Sequence, residues 1–181
     1  MSLTKEQILE EIGGLSGLVD ILVKSLRKTL DKDGDILIRG QSERTFIDCW
    51  AEKIRSISPE IISKNLKVNT SYDKHGDDPK RDFHDRRIEV DLVIHVRGTD
   101  DFNIFAMEAE TSNYPAGDDI EKLAYLTSQD EGYKYSLGLY IALGVKKKAG
   151  TVLRESWFIN GQESAEIGKP ITVSLIKSQQ N

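Results

Sequence analysis

The feature that most restricts the fold is a pair of strand-like segments joined by a tight turn, because the second is too apolar to be left in water. Ile88 to Val96 reads as a strand, Gly98-Thr-Asp-Asp101 as the turn, and Phe102 to Glu110 as the returning arm of a hairpin. Phe102 to Met107 is mostly apolar, which fits a buried strand, yet the arm ends on Glu108 and Glu110. Residues two apart on a strand share a face, so these carboxylates point the same way, and Asp91 near the start of the first arm can converge on them. Like charges so placed raise one another's pKa, and a divalent cation removes the conflict. Hard oxygen ligands favour Mg2+ or Mn2+, and such an ion polarises a phosphoryl group and lowers the pKa of a bound water, the chemistry of phosphodiester hydrolysis. The alternative is an acidic solvent face on a half-exposed strand, which needs no ion.

Helices surround the hairpin. From Lys5 to Leu30 the apolar positions Ile8, Leu9, Ile12, Leu15, Leu18, Val19, Leu22, Val23 and Leu26 recur at helical spacing, as a packing or interaction element. Gly13, Gly14 and Gly17 predict a break, since each interior glycine costs about 1 kcal/mol relative to alanine. Asp31 to Gly40 carries Asp-Lys-Asp-Gly-Asp and reads as a turn or short linker. Its likeness to a calcium loop fails where Ser42 stands in place of the closing glutamate. A second helix is expected from Ser42, as N-cap, to about Ile57, with Phe46, Ile47, Trp50, Ala51 and Ile54 on one face. Leu66 to Tyr72 reads as a strand, Asp73 to Asp85 as a loop, Asp118 to Thr127 as a helix, and Tyr135–Leu143, Thr151–Ile159 and Ile171–Ile176 as strands. This order implies an α/β fold, a mixed central sheet flanked by helices, with residues 1–40 as an N-terminal helical extension and 41–181 as the sheet domain.

Composition narrows the function. The net charge is −5, from 25 Lys+Arg against 30 Asp+Glu, which argues against a protein that coats nucleic acid non-specifically but leaves room for one local basic groove. A single cysteine, Cys49, forms no internal disulfide and no thiolate zinc site, which suits a reducing compartment. No run approaches the roughly 20 apolar residues that cross a bilayer, and Met1 to Leu30 lacks a signal-peptide pattern, so a cytoplasmic protein without membrane contact is expected. No Gly-x-Ser-x-Gly elbow, phosphate-binding Gly-rich loop or Cys–His pairing is present.

The stretches Arg87-Ile-Glu-Val-Asp91-Leu-Val-Ile-His-Val-Arg-Gly98, Asn103-Ile-Phe-Ala-Met-Glu108-Ala-Glu110, Asp119-Ile-Glu-Lys-Leu123 and Gly132-Tyr-Lys-Tyr135 resemble the PD-(D/E)XK nuclease superfamily, the restriction-endonuclease-like fold, and above all its small prokaryotic members. The resemblance runs from about Gln41 to Gly144, with Ser42-Glu43-Arg44 similar to the acidic position on the first core helix. It implies a Mg2+- or Mn2+-dependent deoxyribonuclease in which Asp91 bridges the metal, Glu108 is the second ligand with the Ala109 carbonyl nearby, and Glu43 is an auxiliary acid. Val90 replaces the motif's proline, which shapes a turn and does no chemistry. Glu110 replaces its lysine, the group that orients the attacking water and neutralises developing charge; a carboxylate serves as a base but cannot neutralise a phosphorane. Lys122, on the helix that packs beside the catalytic strand in this fold, is a candidate to supply the missing cation; the alternative is a solvated helix lysine.

Lys80, Arg81, Arg86 and Arg87 gather ahead of the Asp91 strand, with Lys74, His75 and His84, as candidates to hold DNA phosphates. Asp73, Asp77, Asp78, Asp82 and Asp85 interleave with them, so a self-paired loop is the competing reading. Cutting both strands of a duplex needs two sites, which favours a symmetric homodimer with the helix before Leu30 as its interface. The alternative function is a catalytically inactive nucleic-acid- or protein-binding module of the same fold.

Overall fold

A computed structural model describes residues 4–58, 65–75, 78–115, 119–167 and 171. Helix α1, Lys5–Glu11, opens on a capping box in which Thr4 Oγ1 accepts from Gln7 N–H and the Gln7 side chain accepts from Thr4 N–H. The expected break follows: Gly13 and Gly14 adopt φ of 88° and 70°, left-handed values that side chains resist, and α2 then runs Gly14–Asp33. A Cβ at Gly17 would lie 2.0 Å from the Ile12 carbonyl oxygen, so the close approach of the two helices requires glycine there.

The expected turn from Asp31 to Gly40 is instead helical: α2 continues to Asp33, and α3, Asp35–Arg39, ends at Gly40 with φ 62°. Leu30, Ile36 and Leu37 are buried, and burying them outweighs the turn preference of the aspartates and glycine between them. Helix α4, Glu43–Ile57, buries Phe46, Ile47, Trp50, Ala51 and Ile54 as expected, although Ser42 makes no side-chain cap hydrogen bond.

The remaining elements are β1 Lys67–Tyr72, β2 Lys74–His75, β3 Asp78–Pro79, β4 Val90–His95, β5 Asn103–Thr111, α5 Ile120–Thr127, β6 Leu137–Leu143, a 3-10 turn at Lys146–Lys148, β7 Val152–Ile159 and β8 Gln162–Glu163. Strands β2 and β3 form a small hairpin within the stretch expected as loop. The others form one six-stranded mixed sheet in the order β1-β4-β5-β6-β7-β8, antiparallel throughout except for the β5–β6 pair, which α5 connects. The strand expected over Ile171–Ile176 lies outside the described residues except for Ile171.

The sheet is covered on both faces. Helix α4 packs on one face and α2 packs on α4, in one apolar cluster with Leu92, Ile94, Phe105, Met107, Leu139 and Ile141, while α5 covers Val93, Ala106, Tyr140 and Ala142 on the other face. Leu18, Leu22, Leu26 and Leu30 of α2 belong to the same apolar cluster as Trp50 and Phe105, and Trp50 Nε1–H donates to Ser25 Oγ at 2.9 Å. The α2 stripe expected to face a second copy is therefore used inside the chain, and residues 4–40 are part of one core rather than an appendage. Among the described residues no helix is long and apolar enough to cross a membrane.

A candidate carboxylate and lysine site at one end of the sheet

The pairing of β4 with β5 begins at Leu92↔Met107, whereas β5 pairs with β6 as far as Thr111↔Leu143. The end of β5 thus overhangs its β4 neighbour, and backbone donors on that side need other acceptors. Asp91 Oδ2 accepts from Ala109 N–H at 2.9 Å, and Glu43 Oε2, from the first turn of α4, accepts from Thr111 N–H at 2.7 Å. One strand end draws in carboxylates from two separate elements.

Glu108 points to the α5 side and is 1% exposed. Its Oε2 meets Lys122 Nζ at 2.7 Å, while its Oε1 is buried without a hydrogen-bond partner. Lys122 also contacts Asp119 Oδ1 at 2.9 Å and donates to the Glu89 carbonyl at 3.2 Å. Burial, with the negative charge of Asp91 adding to it, pushes Glu108 well above the usual carboxylate range, and Lys122 opposes this only in part. Burial raises Asp91 as well, against the Ala109 N–H bond and Lys122. Burial also raises Glu43, partly offset by the Thr111 N–H, with Asp91 and Glu110 adding to the rise. Burial works against the Lys122 ammonium, but Glu108 and Asp119 more than offset it, so Lys122 stays charged.

The expected convergence of three carboxylates is met by two. Glu110 accepts a 2.7 Å hydrogen bond from Tyr140 Oη–H of β6, whose ring lies 5.6 Å from the Arg154 guanidinium, and this holds the carboxylate on the β6 side. Among the described residues no group of three or more His, Cys, Asp or Glu side chains is arranged to hold a metal ion. What fits a small divalent cation is the Asp91–Glu108 pair: hard oxygen donors, reluctant to ionise together, one of them with a buried oxygen that lacks a partner. Tyr140 and Asp119 were not singled out from sequence. Asp119 lies three residues before Lys122, a helical-neighbour spacing that could have marked it; Tyr140 depends on the register of a parallel pair, which leaves no local signal.

The basic residues divide. Lys80 is 1% exposed, its Nζ 3.9 Å from the Tyr133 ring centroid and 3.9 Å from Asp100 Oδ1, so it turns into the protein and presents no charge to a phosphate. Arg81 pairs with Asp85, Arg86 with Asp82 at 2.6 Å, and Arg87 with Asp73. Asp82 also accepts from the backbone N–H groups of His84 and Arg86, which fixes the loop. Arg86 and Arg87 nevertheless keep most of their side-chain surface in water and line a groove of about 400 Å³ that reaches Asp119 and Lys122. His95 is buried, its Nε2 3.1 Å from Asn69 Oδ1, and serves the sheet. Burial raises the Cys49 thiol, which disfavours the nucleophilic thiolate. Comparison with known proteins finds no matching family model, no similar curated protein and no similar solved structure.

Proposed function

We propose that the chain is a divalent-metal-dependent, PD-(D/E)XK-like nuclease that hydrolyses DNA phosphodiester bonds, with Asp91 and Glu108 as its metal-holding carboxylates. The observation that supports this best is Lys122 Nζ, 2.7 Å from Glu108 and delivered by α5, where a cation beside the carboxylates can take the part that Glu110, standing at the position of the resembled motif's lysine, cannot. Bound Mg2+ or Mn2+ would polarise the phosphoryl oxygen and supply a more acidic water. The protein's own groups then have separable tasks. Lys122, held charged by Glu108 and Asp119, stabilises negative charge that develops on the phosphorus oxygens. Glu110, which Tyr140 holds on the β6 side, is not the base in this reading. Arg86 and Arg87 hold phosphates beside the scissile bond.

A specific observation favours the second reading, a non-catalytic recognition module: Asp91 and Glu43 already serve backbone donors and so have structural work without an ion. Titration calorimetry of Mg2+ and Mn2+, followed by incubation with supercoiled plasmid, separates the two. The wild type is expected to bind the ion and nick the plasmid. Asp91→Asn keeps an acceptor for Ala109 N–H, so it should stay folded while losing ion affinity, and Lys122→Met should bind the ion but cleave about 100- to 1,000-fold more slowly. A folded wild type with neither ion affinity nor nicking would overturn the nuclease reading in favour of the recognition module.

A further inference from the structure

Among the described residues the exposed large hydrophobic side chains are Phe83, 51% exposed, and Tyr114, 88% exposed. Both flank the carboxylate end of the sheet. Phe83 sits in the loop that leads into β4 and lines the groove shared with Arg86, Arg87, Asp119 and Lys122. Tyr114 follows the end of β5 by three residues, in a segment held by the Ser112 N–H bond to the Leu143 carbonyl and by the Val145 N–H bond to Asn113 Oδ1. Isolated exposed aromatics are ordinary on protein surfaces; one on each segment bordering the same site is a pattern.

Each aromatic has support behind it and cations beside it. The Phe83 ring lies 4.1 Å from the His84 ring centroid and 6.0 Å, edge-on, from Tyr125, which in turn meets Tyr133 at 5.9 Å; this braces the ring while leaving half of it in water. Lys148 Nζ lies 5.8 Å from the Tyr114 ring, within the exposed turn Lys146–Lys148. The groove at Phe83 also contains Asp82, Glu89, Asp119 and Glu121 against Arg86, Arg87 and Lys122, so phosphate attraction alone would hold a strand weakly there. A ligand that also offers flat apolar faces to the two rings fits this surface better. Duplex DNA hides its base faces within the stack; an unpaired strand presents them.

We propose that this face takes single-stranded DNA, with bases stacked on Phe83 and Tyr114 on either side of the Asp91–Glu108 pair and phosphates held by Arg86, Arg87 and the Lys146–Lys148 turn. The assignment rests on the nucleic-acid reading above and narrows it to unpaired strands.

The test is fluorescence anisotropy with a labelled oligothymidine of about 20 nucleotides and a duplex of the same length, in Ca2+, a hard divalent ion that oxygen ligands hold, with the probes checked on a gel for cleavage. The wild type should bind the single strand more tightly than the duplex. Phe83→Ala and Tyr114→Ala should each weaken single-strand binding roughly five- to a hundred-fold, and Phe83→Trp should restore it, with far-ultraviolet circular dichroism unchanged in all three. Duplex bound as tightly as single strand, or both alanine variants binding like wild type, would overturn the single-strand assignment and leave the nucleic-acid reading standing. No binding of either probe would overturn both.

Discussion

A buried lysine is costly unless something replaces its water, and Lys80 shows how this chain meets the cost. Its ammonium lies 3.9, 5.4 and 5.8 Å from the ring centroids of Tyr133, Tyr135 and Tyr72, with Asp100 as its carboxylate neighbour. Burial still wins, lowering the Lys80 pKa to about 8 despite Asp100. Burial, with Lys80 adding to it, lowers His95 to about 4. Both bases bind protons less readily folded than unfolded, so each destabilises the fold as pH falls through its window. For His95 that window runs from 6.5 down to about 4, and for Lys80 from 10.5 down to about 8. In urea denaturation across pH, His95→Gln should remove about 3 kcal/mol of stability loss between pH 6.5 and 4 relative to wild type, a comparison in which the raised acids Glu43, Asp91 and Glu108, whose effect has the opposite sign, are common to both chains. Lys80→Met should abolish the gain in stability from pH 8 to 10.5 and be neutral or stabilising at pH 7. An acid limb unchanged in His95→Gln would show that other groups carry it.

Helices α2 and α4 are joined by shape and by one polar contact. Ser25, fully buried on α2, donates to its own helix at the Leu22 carbonyl and accepts from Trp50 on α4. Ser25→Ala leaves the indole N–H buried without that acceptor and should cost about 1–3 kcal/mol, read as a lower urea midpoint with unchanged slope. A loss below a few tenths would mean that the indole finds another acceptor. The periodicity of α4 marked its buried face correctly because five apolar residues at helical spacing leave few alternatives. The stretch through α3 was misleading for the opposite reason: Asp-Lys-Asp-Gly-Asp has strong local turn chemistry, and only the burial of Leu30, Ile36 and Leu37 reverses it.

At the scale of the whole molecule, residues 4–40 supply one layer of the core. Deleting residues 1–40 removes Leu18, Leu22, Leu26 and Leu30, all nearly inaccessible to solvent, and uncovers the α4 stripe and through it the sheet. The truncated chain is expected to lose its cooperative thermal transition, measured by circular dichroism. A sharp transition in residues 41–181 alone would restore the N-terminal segment to the role of a separable extension.

The sequence determined the mixed α/β class, the glycine break before α2, the buried hairpin and the acids at its end, because each is written in local periodicity or in residues with few conformational choices. It also offered Lys122 as a partner for those acids, by resemblance rather than by spacing. Only the tertiary structure decided which basic residues face water, that Glu110 turns to Tyr140 while Glu108 turns to Lys122, and that Glu43 arrives from α4 to serve Thr111. Those outcomes depend on the register of β5 against β6 and on which strand end overhangs its neighbour, and both are set by packing between segments far apart in the chain.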